Sequence, residues 1–327
     1  MKVLIWAALA SFLTAASAGL IFIPILKKIK AGQPILKYVE THKEKNGTPT
    51  MGGLFFILPA SAVFLLFGGG SGRIAVVAMS IGLAFMLVGA VDDLIKIKTG
   101  NNEGLKAYQK IIFQSAIAFT AGFFSYLNGI TVFHIPFVGT SVDLGCWTVP
   151  LVAVIFIAVT NSVNLTDGLD GLAGGVCATY LLVISVLIVT QMGVLRKMYL
   201  KEEEYERLVL LSICLFGAIC AFLIYNVNKA SVFMGDTGSL SLGGFIGAIS
   251  IFSSNSFFIP VIGIMFVLSS ISVIIQVAHF KRTGKRVFLM APLHHHFQLK
   301  GKTETQISFI YTVITLAVGA LSILAYL

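Results

Sequence analysis

Charged residues are scarce in this 327-residue chain, where Asp, Glu, Lys and Arg together make up 11% and hydrophobic residues 57%. A soluble domain carries about a quarter charged residues, so this composition excludes an ordinary soluble globular protein. Acidic residues are fewer than basic ones, at 14 against 23. Each carboxylate beside an apolar run therefore needs a physical reason to be there.

Cysteine is sparse too: the chain has four, with no CxxC spacing. This excludes a disulfide framework and a cysteine-ligated metal site, and we expect buried thiols. The alternating polar and apolar pattern of a membrane β-barrel is also absent. Backbone hydrogen bonds inside a membrane must then be satisfied within helices.

Long apolar segments are what the chain has instead. A helical span needs about 17 to 25 residues, and we expect ten spans, near 3–26, 51–69, 74–91, 111–127, 146–161, 172–195, 208–226, 237–253, 256–278 and 306–327. The first begins like a secretory signal, but its apolar run continues to Leu26, so we expect it to be retained. The sequence predicts an all-α integral membrane protein with one polytopic domain, 1–327.

Basic residues are unevenly distributed between the two faces that ten spans define. Loops at about 27–50, 92–110, 162–171, 227–236 and 279–305 fall on one face and hold 17 of the 23 Lys and Arg. By the positive-inside rule this face is cytoplasmic and both termini are extracytoplasmic. The net charge of +9 then favours anionic lipid and phosphorylated substrates over nucleic acid as partners.

Polar residues interrupt the apolar pattern between Asn161 and Gly175. Asn161, Asn164, Asp167 and Asp170 recur every three residues, so helical portions present them on one face. Intervening glycines permit close approach of a ligand. The alternative is a polar loop whose Asn and Asp side chains bond the local backbone.

Two more acidic motifs lie on the predicted cytoplasmic face. Asp92 and Asp93 end the third span, where a solvated edge is the alternative to catalysis. Asp236 lies among glycines before the eighth span, where capping of that helix is the alternative to a pocket role. Within the eighth span, the spacing of Gly243 and Gly247 predicts close helix packing.

Two loops add further candidates. The stretch from Gly47 to Gly53 precedes a helix start, whose free N–H groups favour anions. His294, His295 and His296 lie in the last cytoplasmic loop and can bind metal, carry protons or contact phosphate. A zinc site is disfavoured because spaced ligands are missing. On the outer face, residues around Val138 predict a short hairpin with His134 at its surface.

Carboxylates, lysines and histidines on one face suit phosphate chemistry. Magnesium is held by one or two carboxylates together with phosphate oxygens, and cations neutralise the charge that develops as a pyrophosphate breaks. A further carboxylate could act as general base or as nucleophile. The sequence predicts an enzyme that transfers a phosphate-containing group. A secondary transporter is the competing hypothesis, disfavoured because the polar residues cluster at one face rather than at the midplane.

Four segments, in order, carry a family resemblance: VDDLIK at 91–96, NLTDGLDGLA at 164–173, VFMGDTGSLSLGG at 232–244 and APLHHHFQLKG at 291–301. Together they resemble the polyprenyl-phosphate N-acetylhexosamine-1-phosphate transferases. The triple histidine favours the members that use a phospho-N-acetylmuramoyl-pentapeptide donor over sister enzymes that use UDP-GlcNAc or another UDP-sugar. The resemblance extends over essentially the whole chain.

This resemblance implies transfer of phospho-MurNAc-pentapeptide from UDP-MurNAc-pentapeptide to undecaprenyl phosphate, giving lipid I and UMP, with Mg²⁺ as cofactor. It places the protein in the bacterial cell membrane as a homodimer with a cytoplasmic active site. A single displacement and an aspartyl-phosphate intermediate both remain open.

The same resemblance implies roles for particular residues. Catalytic roles fall on Asp92, Asp93, Asp236, His294, His295 and His296. Asp92 would deprotonate or orient the lipid phosphate and Asp236 would ligate Mg²⁺. Substrate-binding roles fall on Lys45, Thr50, Lys110, Asn164, Asp167, Asp170, Asn226, Phe233 and Ser239, with Lys110 on phosphate and Phe233 stacked on uracil.

Overall fold

The computed structural model describes residues 1–28, 47–68, 72–100, 103–195, 200–227 and 229–326. Within them lie twelve α-helices and one two-stranded sheet. In chain order the elements are α1 Lys2–Lys28, α2 Gly53–Gly68, α3 Arg73–Thr99, α4 Ala107–Leu127, β1 Val132–His134, β2 Ser141–Asp143, α5 Thr148–Thr166, α6 Leu172–Leu195, α7 Glu202–Asn226, α8 Gly235–Phe252, α9 Ile259–Ile262, α10 Ile264–Thr283, α11 Leu293–Leu299 and α12 Glu304–Leu324.

Eight of the described helices are long and apolar enough to cross a membrane, namely α1, α3, α4, α5, α6, α7, α10 and α12. The predicted class, an all-α integral membrane protein, is confirmed. The predicted second and eighth spans are helices too, but α2 has 16 residues and α8 opens with polar residues. The total of ten spans and the outer position of the termini stay predictions.

The predicted ninth span, 256–278, was wrong as a continuous helix. A 3₁₀ turn at Ser256–Phe258 leads into the single-turn helix α9, which ends at Ile262, and α10 starts anew at Ile264. Pro260 lies in the first turn of α9, where its missing N–H is tolerated. Gly263 leaves the helical region at ψ 28°, so the apolar run divides there, and α10 extends to Thr283, beyond the predicted end.

Helix α8 lies at the centre, with every residue from Asp236 to Phe252 buried. Glycines in α3 and in α8 itself allow close contact with its neighbours α3 and α5. A Cβ at Gly82 in α3 would lie 2.5 Å from the Phe245 ring, and one at Gly243 would lie 2.5 Å from Thr160 Cα in α5. The predicted close packing at Gly243 is thus confirmed. In a membrane such small-residue contacts replace the hydrophobic effect as the source of helix association.

The hairpin predicted between α4 and α5 is confirmed as antiparallel strands β1 and β2, with His134 opposite Ser141. The predicted surface position of His134 was wrong, because only 5% of the residue is exposed. Its backbone N–H donates to the Ser254 carbonyl at 2.9 Å, and its ring packs edge-on against Tyr326. The hairpin therefore folds onto the α8–α9 connection and the end of α12, a long-range contact without a local sequence signal.

The α3–α8 contact generates a stability prediction. A Cβ at Gly89 of α3 would overlap the carbonyl oxygen of Asp236, a backbone atom that cannot rotate away. We expect Gly89→Ala to destabilise the protein by ~1–3 kcal/mol, as overpacking does, and to lower the thermal unfolding midpoint in detergent. Gly68→Ala is the control, because the nearest atom to its new Cβ lies 3.7 Å away. Equal midpoints for the two variants would contradict this packing.

Candidate active site

Four helices bring charged and polar side chains to one end of the bundle. The later part of α3 supplies Asp92 and Asp93, α4 supplies Lys110, α5 supplies Asn164, and α8 supplies Asp236. Oxygens of the three carboxylates lie within 4.8 Å of one another, and all three residues are buried. A cavity of about 510 Å³ opens beside them, lined by Asp92, Lys96, Glu103, Gly104, Leu105, Lys106, Ala107, Lys110, Asn164 and Asp236.

Two lysines balance these carboxylates. Lys96 Nζ lies 2.6 Å from Asp92 Oδ2 and 3.2 Å from Asp236 Oδ2. Lys110 Nζ pairs with Asp236 Oδ2 and lies 3.5 Å from Asp92 Oδ1. Asp92 also accepts the backbone N–H of Leu105 at 2.9 Å. Each ammonium group is thus shared between α3 and α8, which offsets the repulsion between their carboxylates.

Lys96 is absent from the predicted site residues. A usable signal existed, since it follows Asp92 by four residues and so lies on the same face of α3. Gln114 is absent too, although a fully buried amide within the apolar α4 was a second signal. Its Oε1 accepts from Asn161 Nδ2 at 2.7 Å and joins α4 to α5 one turn below Asn164.

Asp93 points into the protein rather than into the cavity. Its Oδ1 accepts the N–H of Asp236 at 3.2 Å, and its Oδ2 accepts the N–H and hydroxyl of Thr237 at 2.9 and 2.6 Å. A carboxylate at a helix N-terminus satisfies free N–H groups and favours the helix dipole. Asp93 of α3 therefore caps α8 and fixes the position of Asp236.

Asn164 completes the support of Asp236 from α5. Its Nδ2 donates to Asp236 Oδ1 at 2.8 Å and to Ser239 Oγ at 2.9 Å. Ser239 in turn donates to the Gly235 carbonyl at 3.0 Å. The structure therefore brings three predicted site residues, Asn164, Asp236 and Ser239, into one hydrogen-bonded group.

The loop between α5 and α6 carries Asp167 and Asp170. Burial, followed by the charges of Asp236 and Asp93, raises the pKa of Asp167 to about 8. Asp170 is engaged by the backbone instead, since its Oδ2 accepts the N–H of Ala230 at 3.0 Å. Of these two predicted residues, Asp167 thus carries the signature of a functional carboxyl.

Asn226, the last residue of α7, also forms a hydrogen bond to the α5–α6 loop. Its Oδ1 accepts the N–H of Gly171 and its Nδ2 donates to the Val232 carbonyl, both at 2.9 Å. Asn226 therefore holds together two segments that carry site residues. The predicted residue Lys45 lies outside the described part of the chain.

Thr50 and Phe233 both lie near the start of α8. Thr50 is fully buried, and a Cβ at Gly235 would lie 2.5 Å from its Oγ1. Phe233 is half-buried and forms backbone hydrogen bonds with Pro49 and Gly52 at 2.8 and 2.9 Å. The segment before α2 is thereby joined to the segment before α8.

Helix α11 presents two of the three histidines to the α5–α6 loop. A Cβ at Gly168 would overlap His294 Nε2 and lie 3.1 Å from His295 Nε2, so only glycine fits there. His294 is fully buried, and among the described residues neither of its ring nitrogens has a hydrogen-bond partner. Burial and the neighbouring His295 lower the pKa of His294 to about 3, so its ring is neutral.

His296 faces another way. Its Nδ1 accepts the N–H of Leu289 at 3.2 Å, and its ring packs edge-on against Phe288. The triple histidine thus divides into two side chains that contact the α5–α6 loop and one that holds the segment before α11.

The donor set suits a hard divalent cation. Carboxylate oxygens are the ligands that Mg²⁺ prefers in proteins. Asp93 is committed to the α8 backbone, whereas Asp92 and Asp236 border the cavity. Those two carboxylates could therefore hold the ion. The two lysines that pair with them could bind an anionic ligand.

Comparison with known proteins places the chain among transferases. The sequence profile of glycosyl transferase family 4 matches residues 74–254, and phospho-N-acetylmuramoyl-pentapeptide-transferase signature 1 matches residues 45–57. The chain is 40% identical to the phospho-N-acetylmuramoyl-pentapeptide-transferase of Clostridium botulinum strain Alaska E43, over 98% of this chain and 95% of that protein. The proteins of the same name from Clostridium kluyveri and Clostridioides difficile strain 630 are each 40% identical, over 99% and 98% of this chain and 100% and 97% of theirs.

The raised pKa of Asp167, about 8, generates a prediction about stability and pH. An unfolded chain ionises this carboxyl near pH 4, so between about pH 4 and 8 the folded state binds one more proton, and stability falls as pH rises through that window. Asp167→Asn cannot ionise. We expect its thermal unfolding midpoint to exceed that of the wild type by a margin that grows from pH 5 to pH 8.

The exposed Asp143 supplies the control. Asp143→Asn removes a carboxylate whose pKa is lowered, chiefly by the N–H of Gly145, so no such gain should appear. An Asp167→Asn midpoint equal to the wild-type value at pH 8 would contradict a proton-retaining carboxyl at this position.

Proposed function

The chain belongs to glycosyl transferase family 4 and is a phosphoglycosyl transferase of the membrane; from this premise we propose that it transfers phospho-MurNAc-pentapeptide from UDP-MurNAc-pentapeptide to undecaprenyl phosphate. The products are lipid I and UMP. The names of the relatives and the matching signature support this donor over UDP-GlcNAc. Enzyme family membership also leaves the transporter hypothesis without support.

The observation that carries the proposal is the group of two lysines and two carboxylates at the cavity. An oxygen of the lipid phosphate attacks the sugar-bearing phosphorus of the donor and forms a new P–O bond. The P–O bond to the bridging oxygen breaks, and its electron pair leaves with UMP. Negative charge spreads over the phosphoryl oxygens in such a transfer. Lys96 and Lys110, held by Asp92 and Asp236, are positioned to neutralise it.

Asp92 and Asp93 take different parts in this proposal. Asp92 borders the cavity, so it orients the lipid phosphate or accepts its proton. Asp93 acts by position, because its oxygens hold the first N–H groups of α8. Its contribution to catalysis is the fixed placement of Asp236.

We assign Mg²⁺ to Asp236, with Asp92 beside it. Support comes from the three clustered carboxylates and from the preference of Mg²⁺ for carboxylate and phosphate oxygens. When bound, the ion would lower the charge of the breaking pyrophosphate. Asn164 keeps Asp236 oriented through its bond to Oδ1, so Asp236 would hold the ion from a fixed position.

The donor is proposed to lie against the α5–α6 loop and the start of α8. Asp167, Phe233 and the two histidines that face Gly168 border this region. Phe233 would stack on the uracil ring, and Thr50 and Lys45 would complete the pocket. Asp170 and Asn226 would contribute by holding the loop, since the backbone engages their side-chain atoms.

The proposal also places the site at the cytoplasmic face of a bacterial cell membrane. Its support is the concentration of Lys and Arg in the loops on that face. Asp92, Asp236 and the α5–α6 loop converge at one end of the bundle, as a single catalytic face requires. A homodimer, implied by the family resemblance, is part of the same proposal.

A direct assay tests the reaction. Purified protein with Mg²⁺ should release UMP from UDP-MurNAc-pentapeptide only when a polyprenyl phosphate is present, because the acceptor supplies the attacking oxygen. UDP-GlcNAc run in parallel should give far less UMP. Acceptor-independent release, or a preference for UDP-GlcNAc, would contradict the proposed reaction.

A substitution at the proposed metal ligand tests the site. Asp236→Asn removes one charge and leaves the side-chain size unchanged, so turnover should fall at least ~10²-fold, as for loss of a group that stabilises transition-state charge, with expression unchanged. Asp143→Asn on the outer hairpin, an exposed carboxylate, should keep wild-type turnover. Wild-type turnover in Asp236→Asn would remove Asp236 from the metal site.

A further inference from the structure

Glu304, the first residue of α12, joins helix α11 to the α5–α6 loop. Its Oε2 accepts the backbone N–H of Asp170 at 3.0 Å. Its Oε1 accepts from Gln298 Nε2 at 3.4 Å, and Gln298 Oε1 lies 3.0 Å from His295 Nδ1. An unbroken chain of hydrogen bonds therefore runs from the loop through two side chains to one histidine.

Glu304 is itself held in place by the start of its helix. Thr303 Oγ1 accepts the N–H of Gln306 at 3.2 Å, and Gln306 Oε1 accepts the N–H of Thr303 at 3.1 Å. This reciprocal capping box fixes the backbone at residue 304. The carboxylate therefore reaches the loop from a rigid position.

The polarity of this chain of bonds follows from its first member. An ionised carboxylate can only accept hydrogen bonds, so Gln298 must direct its NH₂ group at Glu304 and its carbonyl oxygen at His295. That oxygen can only accept, so the proton between them belongs to His295 Nδ1. Nε2 of a neutral ring then carries the lone pair.

The tautomer matters because the His295 ring is neutral and faces the loop. Burial, its largest influence, lowers the pKa of His295. Its Nε2 lies 3.1 Å from the place a Cβ would take at Gly168. A neutral Nε2 with a lone pair accepts a hydrogen bond from a hydroxyl or amide N–H, and it repels a bare phosphate oxygen.

We propose that Glu304 is a positioning residue that acts through Gln298 to fix His295 with its proton on Nδ1, so that Nε2 accepts from a hydroxyl or amide group of the donor. The proposal rests on the function proposed above and deepens it. It assigns His295 to recognition of the neutral sugar or peptide part of the donor rather than its pyrophosphate.

Three variants test the direction of the hydrogen bonds that join Glu304, Gln298 and His295. In Glu304→Gln, the new carbonyl oxygen still accepts from Asp170, but the new NH₂ group meets Gln298 Oε1, so Gln298 turns its own NH₂ group to His295 and reverses the tautomer. In Gln298→Glu, two carboxylates face each other and repel, so the connection from residue 304 to His295 is lost. The double variant Gln298→Glu with Glu304→Gln again has an acceptor facing His295, as in the wild type, while residue 304 now donates to residue 298.

Nitrogen-15 magic-angle-spinning NMR of the histidine-labelled protein measures the tautomer without turnover, with His295→Gln to assign the signal. We expect a protonated Nδ1 in the wild type, a protonated Nε2 in Glu304→Gln, and a protonated Nδ1 again in the double variant. A protonated Nε2 in the wild type, or an unchanged tautomer in Glu304→Gln, would overturn the proposal. This result is independent of whether the proposed substrates are correct.

Kinetics supply the functional readout. Both single variants should raise KM for the nucleotide donor about tenfold, as for loss of one oriented hydrogen bond, with kcat and KM for the lipid phosphate within about twofold. The double variant should recover the wild-type KM. A loss of kcat alone, or no recovery in the double variant, would overturn the positioning role, whereas a wild-type protein without turnover would refute the proposed function instead.

Folding is controlled separately. Glu203→Gln changes a carboxylate at the far end of α7, where Glu203 pairs with Arg207, and should leave all kinetic constants unchanged. Should Glu304→Gln fail to fold, Gln298→Leu breaks the connection without touching the Glu304–Asp170 bond and must raise the donor KM in the same way. A wild-type KM in that variant would equally overturn the proposal.

Discussion

Two ammonium groups shared by carboxylates from α3 and α8 are the interaction on which the rest of this structure depends. Without Lys96 and Lys110, Asp92 and Asp236 would stand as buried like charges at the end of a hydrophobic bundle, at a cost that membrane helices rarely tolerate. The helices can approach closely enough for this sharing because Gly89 carries no side chain. The close packing of α3 against α8 and the sharing of ammonium groups between their carboxylates therefore depend on the same approach of the two helices.

The same arrangement suits the proposed reaction. An ammonium group paired with a carboxylate at the cavity can pair with a phosphate when substrate enters, and the carboxylates it leaves can hold a divalent cation. Residues behind them keep the geometry fixed: Asp93 caps α8, and Asn164 holds Asp236. This division into groups that face the cavity and groups that support them is what preorganised electrostatic catalysis requires.

The sequence predicted the class of the fold and the residues that carry charge, because both leave local signals. Apolar length reveals spans, and Asp92 or Asp236 stands out at the end of one. Partners that depend on distant chain segments left weaker signals: Lys96 was identifiable by its spacing, but the joining of Glu304 to Asp170 spans 134 residues. His134 was misplaced at the surface for the same reason, since the segments that contact it are the α8–α9 connection and the end of the chain after α12. The break at Gly263 lay within an apolar run, and hydropathy does not register it.

The proposed mechanism depends on a metal site formed by Asp236 and Asp92 in front of two phosphate-binding lysines. Crystals of the protein soaked in Mn²⁺, which suits the same oxygen ligands as Mg²⁺, test this site through an anomalous difference map. We expect a peak within coordination distance of the Asp236 carboxylate, with Lys96 and Lys110 displaced from their carboxylates. No peak there, or a peak only at other carboxylates, would contradict it.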